Sequence, residues 1–145
     1  MVPVIRKATA GDLDAMHLIE GQGQARWNRR QFEDELRLAF SDVWVLDDGG
    51  QVVGFAVTWT VADEIQLNNI GIREDSRRRG LGAVLMDHII AAARRGGSAR
   101  AVFLEVSEQN ERARLFYRSC GFIERGRRKR YYDGIDAILM ERELG

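Results

Sequence analysis

The sequence predicts an α/β fold: a mixed sheet of about seven strands with a bulged fourth strand, flanked by about four helices. Three observations carry this. Short β-branched runs alternate with longer helical patterns along the 145 residues. Asp47-Asp48-Gly49-Gly50 separates two apolar strands, as a hairpin turn would. Ala101 to Val106 is a nearly continuous apolar run, the pattern of a central strand covered on both faces.

Val2 to Lys7 reads as the first strand. Thr9-Ala10-Gly11-Asp12 has the form of a helix start, with the threonine hydroxyl available to cap backbone N–H groups. Leu13, Met16, Leu18 and Ile19 supply a helical stripe until Gly21-Gln22-Gly23 interrupts it. Asn28-Arg29-Arg30-Gln31 is a second start signal, followed by Phe32, Leu36 and Phe40 at i, i+4 and i+8. Val43 to Leu46 and Val52 to Val61 flank the glycine turn, whose glycines permit positive φ.

The fourth strand, Glu64 to Ile72, changes phase. Ile65 and Leu67 fall on odd positions, whereas Ile70 and Ile72 fall on even ones. A β-bulge produces such a one-residue slip and leaves backbone groups unpaired beside it; a poorly patterned strand is the alternative. After Gly80 a helix presents Leu81, Val84, Leu85, His88, Ile89 and Ala92 on one side and ends at Gly96-Gly97. The apolar run from Ala101 follows. A short helix from about Asn110 places Ala113, Phe116, Tyr117 and Cys120 at i, i+3, i+4 and i+7, with Gly121 as its C-cap. Phe122 to Tyr132 and Ile135 to Arg142 are the last strands, meeting at Asp133-Gly134.

Composition narrows the function classes. The chain is 45% hydrophobic and 30% charged, ordinary for a globular domain, and its length suits one domain spanning residues 1–145. Twenty-two basic and 22 acidic side chains balance, which argues against a general nucleic-acid binder. A single cysteine excludes an intrachain disulfide and points to a reducing, cytoplasmic setting. The N-terminus lacks a signal-peptide pattern, no run approaches the ~18 apolar residues of a membrane span, and no motif suggests a metal site.

Arg77-Arg78-Arg79-Gly80-Leu81-Gly82 lies between a strand end and a helix start. Its glycines allow close backbone approach, and the first N–H groups of the helix have no internal partner, so the segment suits a pyrophosphate. It lacks the Gly-Lys-Ser/Thr of a Walker loop and the first glycine of a dinucleotide fingerprint; alone it is equally an exposed basic turn. Glu105 is a carboxylate within Val102-Phe103-Leu104-Glu105-Val106: either a desolvated general base or a strand glutamate held in a salt bridge. Tyr117 is either core or a proton donor, and Asn110 is a sufficient N-cap. Cys120 and His88 read as packed helix residues, and Arg125 to Arg130 as a solvated strand face.

From about Val52 to Met140 these pieces resemble the GNAT superfamily of acyl-CoA N-acyltransferases. The loop Arg77-x-x-Gly80-x-Gly82, the irregular strand before it, and Asn110-x-x-Ala113-x-x-x-Tyr117-x-x-x-Gly121-Phe122 carry the likeness. More narrowly the chain resembles the RimI-type branch, the ribosomal-protein-alanine N-acetyltransferases. Trp27 with Gln31-Phe32, Asp63-Glu64, Asn69-Ile70, Leu104-Glu105-Val106, Arg128 with Tyr131-Tyr132, and Asp136-Ala137-x-x-Met140 match it.

The resemblance implies the GNAT fold and acetyl-CoA as cosubstrate. It places Ile70, Gly71 and Ile72 on the pantetheine arm and thioester, and Arg77, Arg78, Arg79, Gly80, Leu81 and Gly82 on the pyrophosphate, with Asn110 further along. It makes Glu105 the general base and Tyr117 the general acid. It runs the acceptor groove between the first helices, around Gln22 to Asn28 with Trp27, and the last hairpin, around Tyr131 and Tyr132, with Glu64 a reserve base or amine partner. The implied acceptor is a protein or peptide N-terminal α-amine; lysine side chains, small amines or a non-catalytic acyl-CoA-binding role are the alternatives. Gly21 to Arg26 departs from the more apolar, proline-containing segment common in that branch.

Overall fold

The computed structural model describes residues 2–23, 25–132 and 134–145, with Tyr132 described by its backbone alone. The strands are β1 (Val4–Lys7), β2 (Ser41–Asp48), β3 (Gln51–Val61), β4 (Glu64–Ile72), β5 (Ala101–Ser107), β6 (Ile123–Tyr132) and β7 (Ile135–Glu143). The helices are α1 (Leu13–Gln22), α2 (Arg29–Glu35), α3 (Leu81–Gly96) and α4 (Glu111–Ser119). One seven-stranded sheet runs in the order β1-β2-β3-β4-β5-β7-β6. Its neighbours are antiparallel except for the parallel pair β4/β5. The Asp133 half of the last turn lies outside the described residues. No described helix is long and apolar enough to cross a membrane.

Local chemistry sets the element ends. At the β2–β3 turn Gly49 and Gly50 adopt φ of 64° and 94°, and the Asp47 carboxylate accepts the Gly50 N–H at 2.8 Å. Asn28 caps α2 reciprocally: its side chain accepts the Gln31 N–H, and the Gln31 side chain accepts the Asn28 N–H. At Thr9 a capping box with Asp12 is present. The hydroxyl donates to the Asp12 carboxylate (3.4 Å), which also accepts the Thr9 N–H (2.8 Å) and two bonds from the Arg6 guanidinium (2.8 and 2.9 Å). Asp12 is buried, and these donors satisfy its carboxylate.

Two apolar clusters pack on opposite faces of the sheet. Leu13, Met16, Ile19 and Phe32 of α1 and α2 meet Val43, Val45, Phe55 and Val57 on one face. On the other, α3 covers Leu46, Ala56, Ile65, Leu67, Val102 and Leu104, joined by Phe122, Ile138 and Met140. α3 buries Leu81, Leu85, Met86, Ile89, Ile90 and Ala93, a face turned away from the predicted Val84, His88 and Ala92. A helix lying on a sheet presents a broad face rather than a narrow stripe. Val84 is accordingly exposed, and His88 sits edge-on to Trp44, ring centroids 4.5 Å apart. Leu18 and Phe40 are likewise exposed; Phe40 lies beyond the end of α2 and rests on Trp59.

The phase slip in β4 is a bulge. Val57 pairs with Asn69 and Thr58 with Leu67, leaving Asn68 as the extra residue. Ile65, Leu67, Ile70 and Ile72 thereby share the α3 face despite their mixed parity. β4 and β5 pair only from Glu64/Ala101 to Gln66/Phe103, then part. β5 also corrects an expectation. Val102, Leu104 and Val106 are buried, but Phe103, Glu105 and Ser107 on the opposite side are only half-buried, so the strand is fully covered on one face alone.

Candidate active site

The parting of β4 and β5 opens a cavity of about 720 Å³. Leu67 to Ile72 form one wall, Glu105 to Ser107 the other, and the starts of α3 and α4 close the far side. Beyond Gln66 the β4 edge facing β5 has no ladder partner, so its backbone groups face the opening. The Asn68 Nδ2 is buried without a hydrogen-bond partner.

The loop into α3 is built for close approach to the backbone. Gly80 has φ 74°, where a side chain would be strained, and it caps α3. Gly82 is small for a different reason: a Cβ there would lie 3.0 Å from the Phe116 ring of α4. The two glycines therefore serve conformation and helix packing respectively. Arg77 is structural, its Nε donating to the Ile72 carbonyl (3.1 Å) and its Nη2 to the Gln22 carbonyl (3.3 Å). Arg78 adopts φ 65° and lines the cavity. Arg79 turns away to Asp48 at 3.3 Å. The α3 N-terminus thus supplies unpaired N–H groups and the positive end of the helix dipole beside the opening.

Glu105 lines the cavity on the open face of β5. Its carboxylate is half-buried and forms the salt bridge that was the second of its two readings: it pairs with Arg128 of β6, Oε1 to Nη2 2.8 Å, across the intervening strand β7. The Arg128 guanidinium also lies over the Tyr131 ring, 4.6 Å from its centroid. Tyr117 reaches the cavity from α4, its ring braced by Phe116 and Phe122 at 5.5 and 5.9 Å. Asn110 caps α4 by accepting the Ala113 N–H (3.2 Å) and borders the same cavity. Burial pushes the Cys120 thiol up from its ordinary value, which disfavours a thiolate nucleophile.

Eleven of the sequence-derived residues therefore meet at one cavity: Ile70, Gly71, Ile72, Arg77, Arg78, Gly80, Leu81, Gly82, Glu105, Asn110 and Tyr117. Arg79, Trp27, Glu64 and Tyr131 lie outside its lining. Trp27 packs on Phe32 (5.2 Å), and Glu64 pairs with Arg100 (3.2 Å). The Tyr132 side chain lies outside the described residues. Gly23 and Arg26, from the stretch expected along the acceptor groove, also line the cavity, whereas sequence reasoning missed Glu20, Asn68 and Arg112. Glu20 had a signal: it stands with Leu13 and Met16 on the buried side of α1. Among the described residues no group of three or more His, Cys, Asp or Glu side chains could hold a metal ion.

Residues 13–122 match the model of the Acetyltransferase (GNAT) family. The chain belongs to the GNAT acetyltransferases. It is similar to the [ribosomal protein bS18]-alanine N-acetyltransferase of Escherichia coli K12, 37% identical over 137 residues and 89% of each chain. It is also similar to the N-alpha-acetyltransferase RimI of Mycobacterium tuberculosis, 33% identical over 129 residues, 85% of this chain and 79% of that one. The crystal structure of the Escherichia coli ribosomal-protein-S18-alanine N-acetyltransferase superposes with a TM-score of 0.89 at 32% identity, covering 99% of this chain and 95% of that one. The protein is thus an acyltransferase of the GNAT fold with RimI-type relatives. Acetyl-CoA is the acetyl donor of this family, and an open β4 edge, an α3 N-terminus at Gly80 with no side-chain cap and the orphaned Asn68 amide suit such a ligand.

Proposed function

We propose that the chain is one domain that transfers acetyl from acetyl-CoA to the N-terminal α-amine of a protein, with ribosomal proteins the favoured class. The observation that carries the reading is the meeting of Glu105, Tyr117 and the Arg77–Gly82 loop at a single cavity. The relatives' activities on ribosomal protein bS18 and on α-amines support the acceptor. Ribosomal acceptors also imply a cytoplasmic location.

When bound, acetyl-CoA supplies an activated thioester. The α3 N-terminus and Gly80 to Gly82 would hold its pyrophosphate, the backbone of Ile70 to Ile72 its pantetheine arm, and Asn110 a further part. Glu105 would take a proton from the amine, directly or through water, as the new N–C bond replaces the C–S bond of the thioester, and Tyr117 would return one to the leaving sulfur. An α-amine suits a single carboxylate. Its pKa is about 7.7–8 against about 10.4 for lysine, so roughly a tenth is neutral at pH 7, but fewer than about one lysine in a thousand. Arg128 already occupies Glu105, so an incoming ammonium exchanges with a guanidinium rather than meeting a bare carboxylate.

Turnover with acetyl-CoA on peptides with free and with blocked α-amines, and on free lysine and polyamines, tests this. Free N-terminal peptides are expected to react best; faster reaction of blocked lysine peptides or small amines would reassign the acceptor. Glu105→Gln is expected to lower kcat by about 10²–10⁴. Unchanged turnover would remove Glu105 as base, and no turnover with any amine would favour a binding module.

A further inference from the structure

Glu20 of α1 is almost fully buried, with 4% of its surface exposed. Leu13, Met16 and Glu20 stand at i, i+3 and i+7, which places the carboxylate on the apolar side of the helix. A carboxylate taken from water must be supplied with donors. Here Oε2 accepts the backbone N–H groups of Arg26 (3.2 Å) and Trp27 (2.9 Å), and Oε1 accepts the Asn69 side-chain amide (3.2 Å). The first two donors belong to the segment joining α1 to α2. The third belongs to β4, next to the bulged residue Asn68.

Trp27 of that segment packs on Phe32, and its backbone returns to Glu20. Ala25 is bent into φ 54°, and its N–H returns to the Glu20 carbonyl at 2.9 Å, so the turn is anchored on Glu20 through both backbone and side chain. Gly23 and Arg26 of the segment line the cavity, as do Glu20 and Asn69. Two residues along, Gln22 makes parallel links to the β4–α3 loop: its side chain accepts the Glu74 N–H, and its carbonyl accepts from Arg77. The end of α1 is therefore stitched along β4, with Glu20 at the level of the bulge.

We infer that Glu20 is a positioning residue for the acceptor: one carboxylate fixes the α1–α2 segment as a cavity wall and locks it to the strand at the bulge. The inference deepens the proposed function and rests on it in one respect, that the acetyl donor takes β4 and α3 and leaves this wall to the amine. Because the same group holds wall and strand, the spacing between amine and thioester is set by Glu20 rather than by loop length.

The test is steady-state kinetics in which acetyl-CoA and the best amine of the panel are varied separately, with thermal melts of each variant. Glu20→Ala removes all three acceptor bonds and is expected to raise the amine KM about tenfold or more while moving the acetyl-CoA KM less than about twofold. Glu20→Gln keeps an oxygen for Arg26 and Trp27, and a turned Asn69 amide accepts from the new N–H. It is expected to bring the amine KM back to within about threefold of the parent. Asn69→Ala cuts the link to β4 alone and is expected to fall between the two. An equal rise in both KM values would reveal general loosening and overturn the inference, as would an unchanged amine KM in Glu20→Ala. Glu20→Gln as impaired as Glu20→Ala would also overturn it, by showing that the charge itself is needed. Failure of the Glu105 assignment is read separately, from kcat in Glu105→Gln.

Discussion

The two halves of β4 are one strand with two fates. From Glu64 to Gln66 it is paired on both edges, to β3 and to β5; from Leu67 to Ile72 it is paired to β3 alone. Both halves direct isoleucine and leucine side chains at α3, so hydrophobic content does not distinguish them. The single extra residue Asn68 does, by turning the strand away from β5 while keeping Ile70 and Ile72 on the apolar face. A buried backbone group without a partner costs about 1–3 kcal/mol. An open edge inside a sheet is thus tolerable where it lines a ligand cavity, and costly elsewhere.

Deleting Asn68 attacks the contrast directly. The deletion removes the extra residue and restores strict alternation, so Leu67, Ile70 and Ile72 stay on the α3 face while β4 loses the bulge that parts it from β5. Loss of kcat/KM by more than about 100-fold is expected, together with loss of acetyl-CoA binding by calorimetry. Retained binding would mean that the bulge does not open the cavity. Gly80→Ala is milder. The left-handed φ of 74° costs a side chain roughly 1–2 kcal/mol, so the acetyl-CoA KM should rise about fivefold with kcat little changed.

The smallest effect on activity is expected away from β4, where the turn between β1 and α1 meets the edge strand β1. Asp12 is buried and held by Arg6, whose guanidinium keeps the carboxyl below its ordinary range. As pH falls, the unfolded chain binds this proton first, so the stabilisation is present above about pH 4 and is lost progressively below it. Asp12→Asn should cost about 2 kcal/mol at neutral pH and flatten the acid limb of urea melts, leaving both KM values unchanged. A shift in either KM would show that the β1–α1 turn is coupled to the site.

The bulge was legible because a parity change in β4 needs only the order of its apolar residues. The caps at Asn28 and Gly80 and the glycine turn were legible for the same reason, each being decided within a few residues. Glu105 was legible as an anomaly but not in its surroundings. Its partner Arg128 comes from β6, which reaches it across β7, and no local pattern indicates that β7 lies between. Arg79 was grouped with Arg77 and Arg78 by adjacency, yet its side chain is taken by Asp48 at the β2–β3 turn. Glu20 was passed over because a glutamate in a helix is ordinary unless the buried side of that helix is known.

By itself the sequence determined the elements and their order, the bulge, and the glycine-bearing loop that opens α3, because periodicity, turn chemistry and capping act over short stretches. Only the tertiary structure decided which of those residues share a cavity. It put β5 beside β4 for three paired residues, set Glu105 on the half-buried face that lines the cavity, and brought Glu20 from the first helix to Asn69 beside the bulge, 49 residues away. Such meetings depend on strand order and on which helix face is covered, and these are settled by packing the whole chain.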